Sequence, residues 1–187
     1  MRMKIFQGIL VSCNRHTERA CIAEISYTLN HKLGIKKKEY RSHLTGISGL
    51  VSIAFKELNP MEIVRRMAEL EEGEEYYVHT LKIKPIQRSL DADYERMKEV
   101  ISDLVKDMEG SYRITINKRH TSMKKDILID AAASVIENPV NLHNYDWELL
   151  IEVIGDKMGL SAVRRGGIYS TKKAYETNSN DDWFLDE

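Results

Sequence analysis

The sequence predicts an α/β (α+β) protein of 187 residues. Three observations carry that prediction. Short segments with two-residue apolar alternation take turns along the chain with longer segments whose apolar residues recur at helical spacing. Gly34, Asn59-Pro60, Gly73 and Glu109-Gly110 punctuate those segments. Hydrophobic residues make up 42% and charged residues 30%, a balance that supports a core and argues against disorder.

Taken in order, residues 5–12 read as a strand that ends at Cys13-Asn14. A helix is expected from Thr17 to Leu33, with Ile22, Ile25, Leu29 and Leu33 on one face and Gly34 as its stop. Residues 36–44 and 50–56 read as a hairpin around the two glycines of Thr45–Gly49. Asn59 is a capping residue, Pro60 suits the first helical position, and Glu62 sits where a capping box places its acid. That helix is expected to reach Glu71. Residues 76–86 then alternate as a strand ended by Pro85. The order strand, helix, hairpin, helix, strand is the ferredoxin-like βαββαβ plan, and it occupies residues 1–88.

A second unit is expected over residues 89–170. Its first helix, Asp91 to Met108, carries the stripe Tyr94, Met97, Ile101, Leu104 and Met108. A strand at Tyr112–Asn117 alternates apolar with polar. A helix from Ser122 to Glu137 is expected to bury Ile127, Leu128, Ala131, Val135 and Ile136. After the loop Asn138–Asp146, the stretches WELLIEVI and LSAVRR read as paired strands across Gly155–Gly159. Residues 171–187 are expected to form an acidic, flexible tail in which Trp183, Phe184 and Leu185 are the apolar residues.

Charge is distributed unevenly. The net formal charge is −1, yet all 28 Lys and Arg lie at or before Lys173. Five acids lie beyond it, so the first 173 residues hold four more bases than acids. Two blocks, Ser111–Lys125 and Lys157–Lys173, contain five cations each and no acid. In the first, Arg113, Lys118, Arg119, His120, Lys124 and Lys125 surround a strand end and a helix start, where free backbone N–H groups favour phosphate. In the second, Arg164 and Arg165 precede Gly166-Gly167, which lets the backbone approach a phosphate closely. A phosphate backbone is the partner this pattern points to. A plain basic surface accounts for the same residues.

Signals for catalysis are sparse. No Gly-rich phosphate loop, no G-x-S-x-G sequence and no zinc-spaced Cys/His cluster occurs. Cys13 and Cys21 lie outside any C-x-x-C pair, which points to reduced thiols and a cytoplasmic location. Cys13 near His16 is the one arrangement that would suit a cysteine-dependent transfer enzyme, and a core thiol explains it better. The run Glu71, Glu72, Glu74, Glu75 reads as a solvated loop rather than a metal site. No apolar run is long enough to span a bilayer.

Residues 91–165, with RITINKRH, DILIDAAASVIE, VNLHNYDWELLIEVI and GLSAVRR, resemble the THUMP domain, an RNA-binding module of tRNA modification proteins. The opening GILVSCNRHTERACIAEISYTLN, with Cys13, Asn14, Glu18, Arg19 and Cys21, resembles the start of Tan-type adaptor proteins of tRNA cytidine acetylation. The resemblance implies a non-catalytic protein that binds tRNA and presents it to a separate cytidine acetyltransferase. Acetyl-CoA and ATP would then belong to that enzyme, and this chain would need no cofactor, metal, DNA or membrane. Its basic residues above would contact phosphate or sugar. About twenty residues follow Arg165, too few for a catalytic domain of the kind that THUMP enzymes carry. The alternative is a part of a THUMP-type thiouridine- or methyl-transferring enzyme. Lys36-Lys37-Lys38 and the acidic tail have no counterpart in the family pattern.

Overall fold

The computed structural model describes residues 7–70 and 77–171 and is an α+β structure. The glutamates at 71, 72, 74 and 75 and the acidic tail lie outside the described residues, so the expectations placed on them stay with the sequence. The chain divides into two compact units. Among the described residues, one is Gly8–Pro85 together with residues 168–171, and the other is Gln7 with Ile86–Gly167.

The first unit follows the order β1 (Gly8–Cys13), α1 (Glu18–Tyr27), β2 (Tyr40–Leu44), β3 (Leu50–Phe55), α2 (Pro60–Glu69) and β4 (Thr80–Ile86). This is the ferredoxin-like order. Its sheet runs β2-β3-β1-β4-β9, where β9 is Tyr169–Ser170. β9 pairs antiparallel with β4, Tyr169 opposite Ile83. The core is Ile9, Val11, Ile25, Leu29, Val51, Ile53, Ile63, Met67 and Ile83, all nearly inaccessible. Asn59 caps α2 by accepting from the Met61 N–H at 3.0 Å. Glu62 does not complete a capping box; it pairs with Arg65 at 2.7 Å instead. The helix expected to reach Leu33 changes register after Tyr27 into a π-helical turn, Thr28–Lys32. The strand expected from residue 76 begins only at Thr80, and Pro85 lies within it. Glu24 accounts for the late start. Its carboxylate accepts from the N–H groups of Val78, His79 and Thr80 and from the Thr80 hydroxyl, at 2.8–3.2 Å. Those N–H groups turn to a side chain rather than to a neighbouring strand.

The second unit contains β5 (Arg88–Asp91), α3 (Tyr94–Val105), β6 (Tyr112–Arg119), α4 (Lys125–Ala133), β7 (Trp147–Ile154) and β8 (Lys157–Arg164). Its sheet order is β5-β8-β7-β6, with β6 parallel to β7 and the other pairs antiparallel. One face packs on the two helices through Met97, Ile101, Leu128, Ala132, Leu149, Ile151, Val153, Met158 and Leu160. α4 starts later than Ser122, at Lys125. Its buried residues are therefore Leu128 and Ala132, Ile136 is buried beyond the helix end at Ala133, and Ile127, expected in the core, is 42% exposed. β7 and β8 turn tightly at Gly155-Asp156 rather than across Gly155–Gly159.

Candidate nucleic-acid interface

β6 positions the first basic block. Tyr112, Ile114 and Ile116 face the helices, so Arg113, Thr115, Asn117 and Arg119 share the opposite face by strand alternation. There they meet two glutamates from β7. Glu148 accepts from Arg113 Nη2 at 3.1 Å and from Thr115 Oγ1 at 2.5 Å. Glu152 accepts from Asn117 Nδ2 and Arg119 Nη1, each at 2.8 Å. Both carboxylates are buried, Glu152 fully. Arg113 and Arg119 are thus compensated within the sheet, which the acid-free stretch Ser111–Lys125 does not reveal. The signal was two glutamates four apart in an apolar strand, a spacing that puts both on one face.

Register separates the candidate cations into two groups. Tyr112 lies opposite Trp147 and Trp147 opposite Arg164, so Arg113, Arg164 and Arg165 sit at one end of the sheet. Lys118, Arg119, His120, Lys124 and Lys125 sit at the other, about 20 Å away along β6 at roughly 3.3 Å per residue. At the first end the arginines stack on aromatic rings. Arg113 lies 4.1 Å and Arg165 5.4 Å from the Tyr145 ring centroid, and Arg164 lies 4.2 Å from that of Trp147. Arg165 also donates to Asn144 Oδ1 at 2.7 Å. Asp146 ties this end together by accepting from the Ser111 N–H at 2.7 Å and the Ser111 hydroxyl at 2.9 Å. Those bonds, with the Arg164 and Arg165 charges, hold the Asp146 carboxyl below the usual aspartate range. Gly110 permits the arrangement. Its φ is +94°, and a Cβ there would stand 2.6 Å from Asp146 Oδ2.

At the second end, Lys118, His120, Lys124 and Lys125 are exposed, and none forms an ion pair among the described residues. His120 adopts a left-handed conformation, φ 52°. Lys124 occupies the N-cap of α4 and provides no side-chain cap. Its N–H donates to Tyr94 Oη at 3.1 Å. The Thr121-Ser122 hydroxyls precede this start rather than capping it, because the helix begins at Lys125. Cations with no capping partner at a helix start leave N–H groups and positive charge available to an anion.

The N-terminal motif lies in the other unit and builds a turn. The Cys13 N–H donates to Gly49 O at 2.9 Å, and Asn14 O accepts from the Thr17 hydroxyl at 2.7 Å. Glu18 Oε1 accepts from the Gly49 N–H at 2.6 Å and the His16 N–H at 3.2 Å, which lowers its pKa. Arg19 is exposed and, with His16, Glu18 and Leu44, lines an open groove of about 620 Å³. Cys21 Sγ lies 3.4 Å from Thr80 Oγ1. Burial raises the pKa of both thiols, that of Cys21 to about 12. They are protonated at neutral pH, the state of packing cysteines rather than of nucleophiles. Among the described residues no group of three or more His, Cys, Asp or Glu is placed to hold a metal, and no helix is long and apolar enough to cross a membrane.

No curated protein matches the sequence. Solved structures share its fold. PH1313 from Pyrococcus horikoshii Ot3 is 15% identical with a TM-score of 0.60 over 88% of this chain and 55% of that one. A 4-thiouridine synthetase, solved as an RNA complex with bound ATP, is 13% identical with a TM-score of 0.55 over 87% and 42%. TrmN from Thermus thermophilus is 12% identical with a TM-score of 0.54 over 82% and 44%. The chain spans about half the length of these structures. Residues 87–163 match the model of the THUMP domain, a range that runs from β5 to the next-to-last residue of β8 and takes in Arg113 and Lys118–Lys125, with Arg164 and Arg165 directly after it. The chain carries a THUMP domain at residues 87–163.

Proposed function

We propose that the protein binds tRNA through its THUMP domain and presents it to a separate cytidine acetyltransferase. The observation that carries the RNA reading is the match of residues 87–163 to that domain, with exposed Lys118, Lys124 and Lys125, which form no ion pair among the described residues, at one sheet end. Stacked Arg164 and Arg165 occupy the other end. Separated cationic groups with aromatic rings suit phosphates and unstacked bases of a folded RNA, read by shape more than by base edges. The acetylation role rests on the N-terminal sequence motif. In this reading acetyl-CoA and ATP serve the partner enzyme and the protein acts in the cytoplasm.

The test uses Lys118→Glu with Lys124→Glu. Arg119 is left in place because a glutamate there would face the buried Glu152 carboxylate. Affinity for an unmodified tRNA transcript is expected to fall at least about tenfold, and the wild-type affinity to fall steeply with salt. Unchanged affinity in the variant would refute the basic site. Acetylcytidine is expected to form when the chain, the acetyltransferase, acetyl-CoA, ATP and tRNA are combined, and not when either protein is omitted. A second reading, the RNA-binding part of a thiouridine-forming enzyme, is favoured by the fold shared with the 4-thiouridine synthetase–RNA complex. Co-purification with a sulfur-transferring partner instead of an acetyltransferase would select it.

A further inference from the structure

The β2 edge of the ferredoxin-like unit carries cations that the THUMP domain does not account for. Lys37 and Lys38 lie on the 3-10 turn Lys37–Glu39, Arg41 on β2, and Lys56 directly after β3. His43, also on β2, has its pKa lowered by burial and by the Arg41 charge. The Lys56 N–H donates to Glu39 O at 3.0 Å, which brings the end of β3 beside the turn. With Tyr40 and Ser42 these residues line an open groove of about 520 Å³ that has no carboxylate in its lining. Glu39, the acid of the turn, faces the Lys36 N–H at 2.8 Å.

Lys37, Lys38, Arg41 and Lys56 form no ion pair among the described residues, unlike Arg113 and Arg119, which the sheet neutralises. The Lys37 ammonium stands 4.5 Å over the Tyr40 ring. Ser42 Oγ is shielded from water and has no hydrogen-bond partner among the described residues. Like charges gathered without a counter-ion repel one another, and an anion from outside relieves that repulsion. The cations come from three neighbouring segments, the turn (Lys37, Lys38), β2 (Arg41) and the residue after β3 (Lys56), so an extended polyanion fits better than one small ion.

We propose that this groove binds the phosphate backbone of RNA, as a contact region separate from the THUMP domain's own cations. The proposal rests on the RNA-binding reading above, and its test keeps the two apart. The full-length chain is titrated with an unmodified tRNA transcript over a salt series, by fluorescence anisotropy. Lys37→Gln/Lys38→Gln, Arg41→Gln/Lys56→Gln, their combination, and Lys118→Glu/Lys124→Glu are compared with wild type. Thermal unfolding checks that each variant folds. The combined groove variant is expected to lose at least about tenfold in affinity, with a salt slope shallower by about three. If it does not fold, the two double variants carry the test, each with a slope shallower by about one and a half. Wild-type affinity and slope in the groove variants, with binding lost in the Lys118/Lys124 variant, would overturn the groove and leave the THUMP reading intact. A wild-type chain with no tRNA affinity would overturn both. Groove variants that lose affinity for an acidic peptide but keep it for tRNA would also overturn the proposal.

Discussion

Asp146 stands at a junction of the THUMP domain. It holds Ser111, and Arg165 N–H donates to its backbone oxygen at 2.9 Å. Hydrogen bonds from Ser111 are the main cause of its lowered pKa, followed by the Arg164 and Arg165 charges. A carboxyl whose folded pKa lies below its unfolded value contributes stability that is complete above the ordinary aspartate range. That contribution is lost as pH falls through the folded value. Wild type is therefore expected to be more stable than Asp146→Asn at neutral pH, and the gap to close on acidification. Denaturant midpoints measured at several pH values check this, and a gap that widens with acid would refute it. The fixed loop also sets Tyr145 and Trp147 under Arg113, Arg164 and Arg165, so the same variant loosens the stacked end of the interface.

At the scale of the element, β6 shows which cations are free and which are structural. Arg119 is the charge partner of a fully buried Glu152, whereas Lys118 next to it is exposed. Arg119→Ala is expected to cost about 2 kcal/mol of stability, because it removes a charge-assisted hydrogen bond to a buried carboxylate. Lys118→Ala is expected to cost less than about 0.5 kcal/mol while weakening RNA binding. Urea unfolding of the two variants checks the contrast, and equal costs would contradict the assigned pairing. The sequence made the cations legible but not their compensation, because the pairing of β6 with β7 is set by tertiary register. The ferredoxin-like order was legible because each long element carries its own period and its own stop. β5, with sequence RSLD, was not. It lacks alternation and exists because β8 offers it an edge. The late start of α4 was missed for a related reason. Ser122 resembles a cap, but the helix takes Lys124 as its N-cap and its buried face turns to Leu128 and Ala132.

At the scale of the whole molecule, each unit closes its own apolar cluster, yet only one is drawn from a nearly continuous run of chain. The sheet of the first unit borrows β9 from beyond the THUMP domain, and the Thr171 N–H donates to Leu81 O at 2.9 Å. Ending the chain at Gly167 is expected to quicken amide hydrogen exchange along β4 and to leave exchange in β6, β7 and β8 unchanged. Equal protection of β4 in the shortened chain would show that β9 adds nothing. The connection has a further consequence during synthesis. A ribosome releases β1 to β4 well before β9, so the nascent ferredoxin-like unit waits with a bare strand edge while the whole THUMP domain is translated. Completion of the first unit reports that the second has emerged, and a stalled or shortened product leaves the β4 edge open to intermolecular pairing and to quality control.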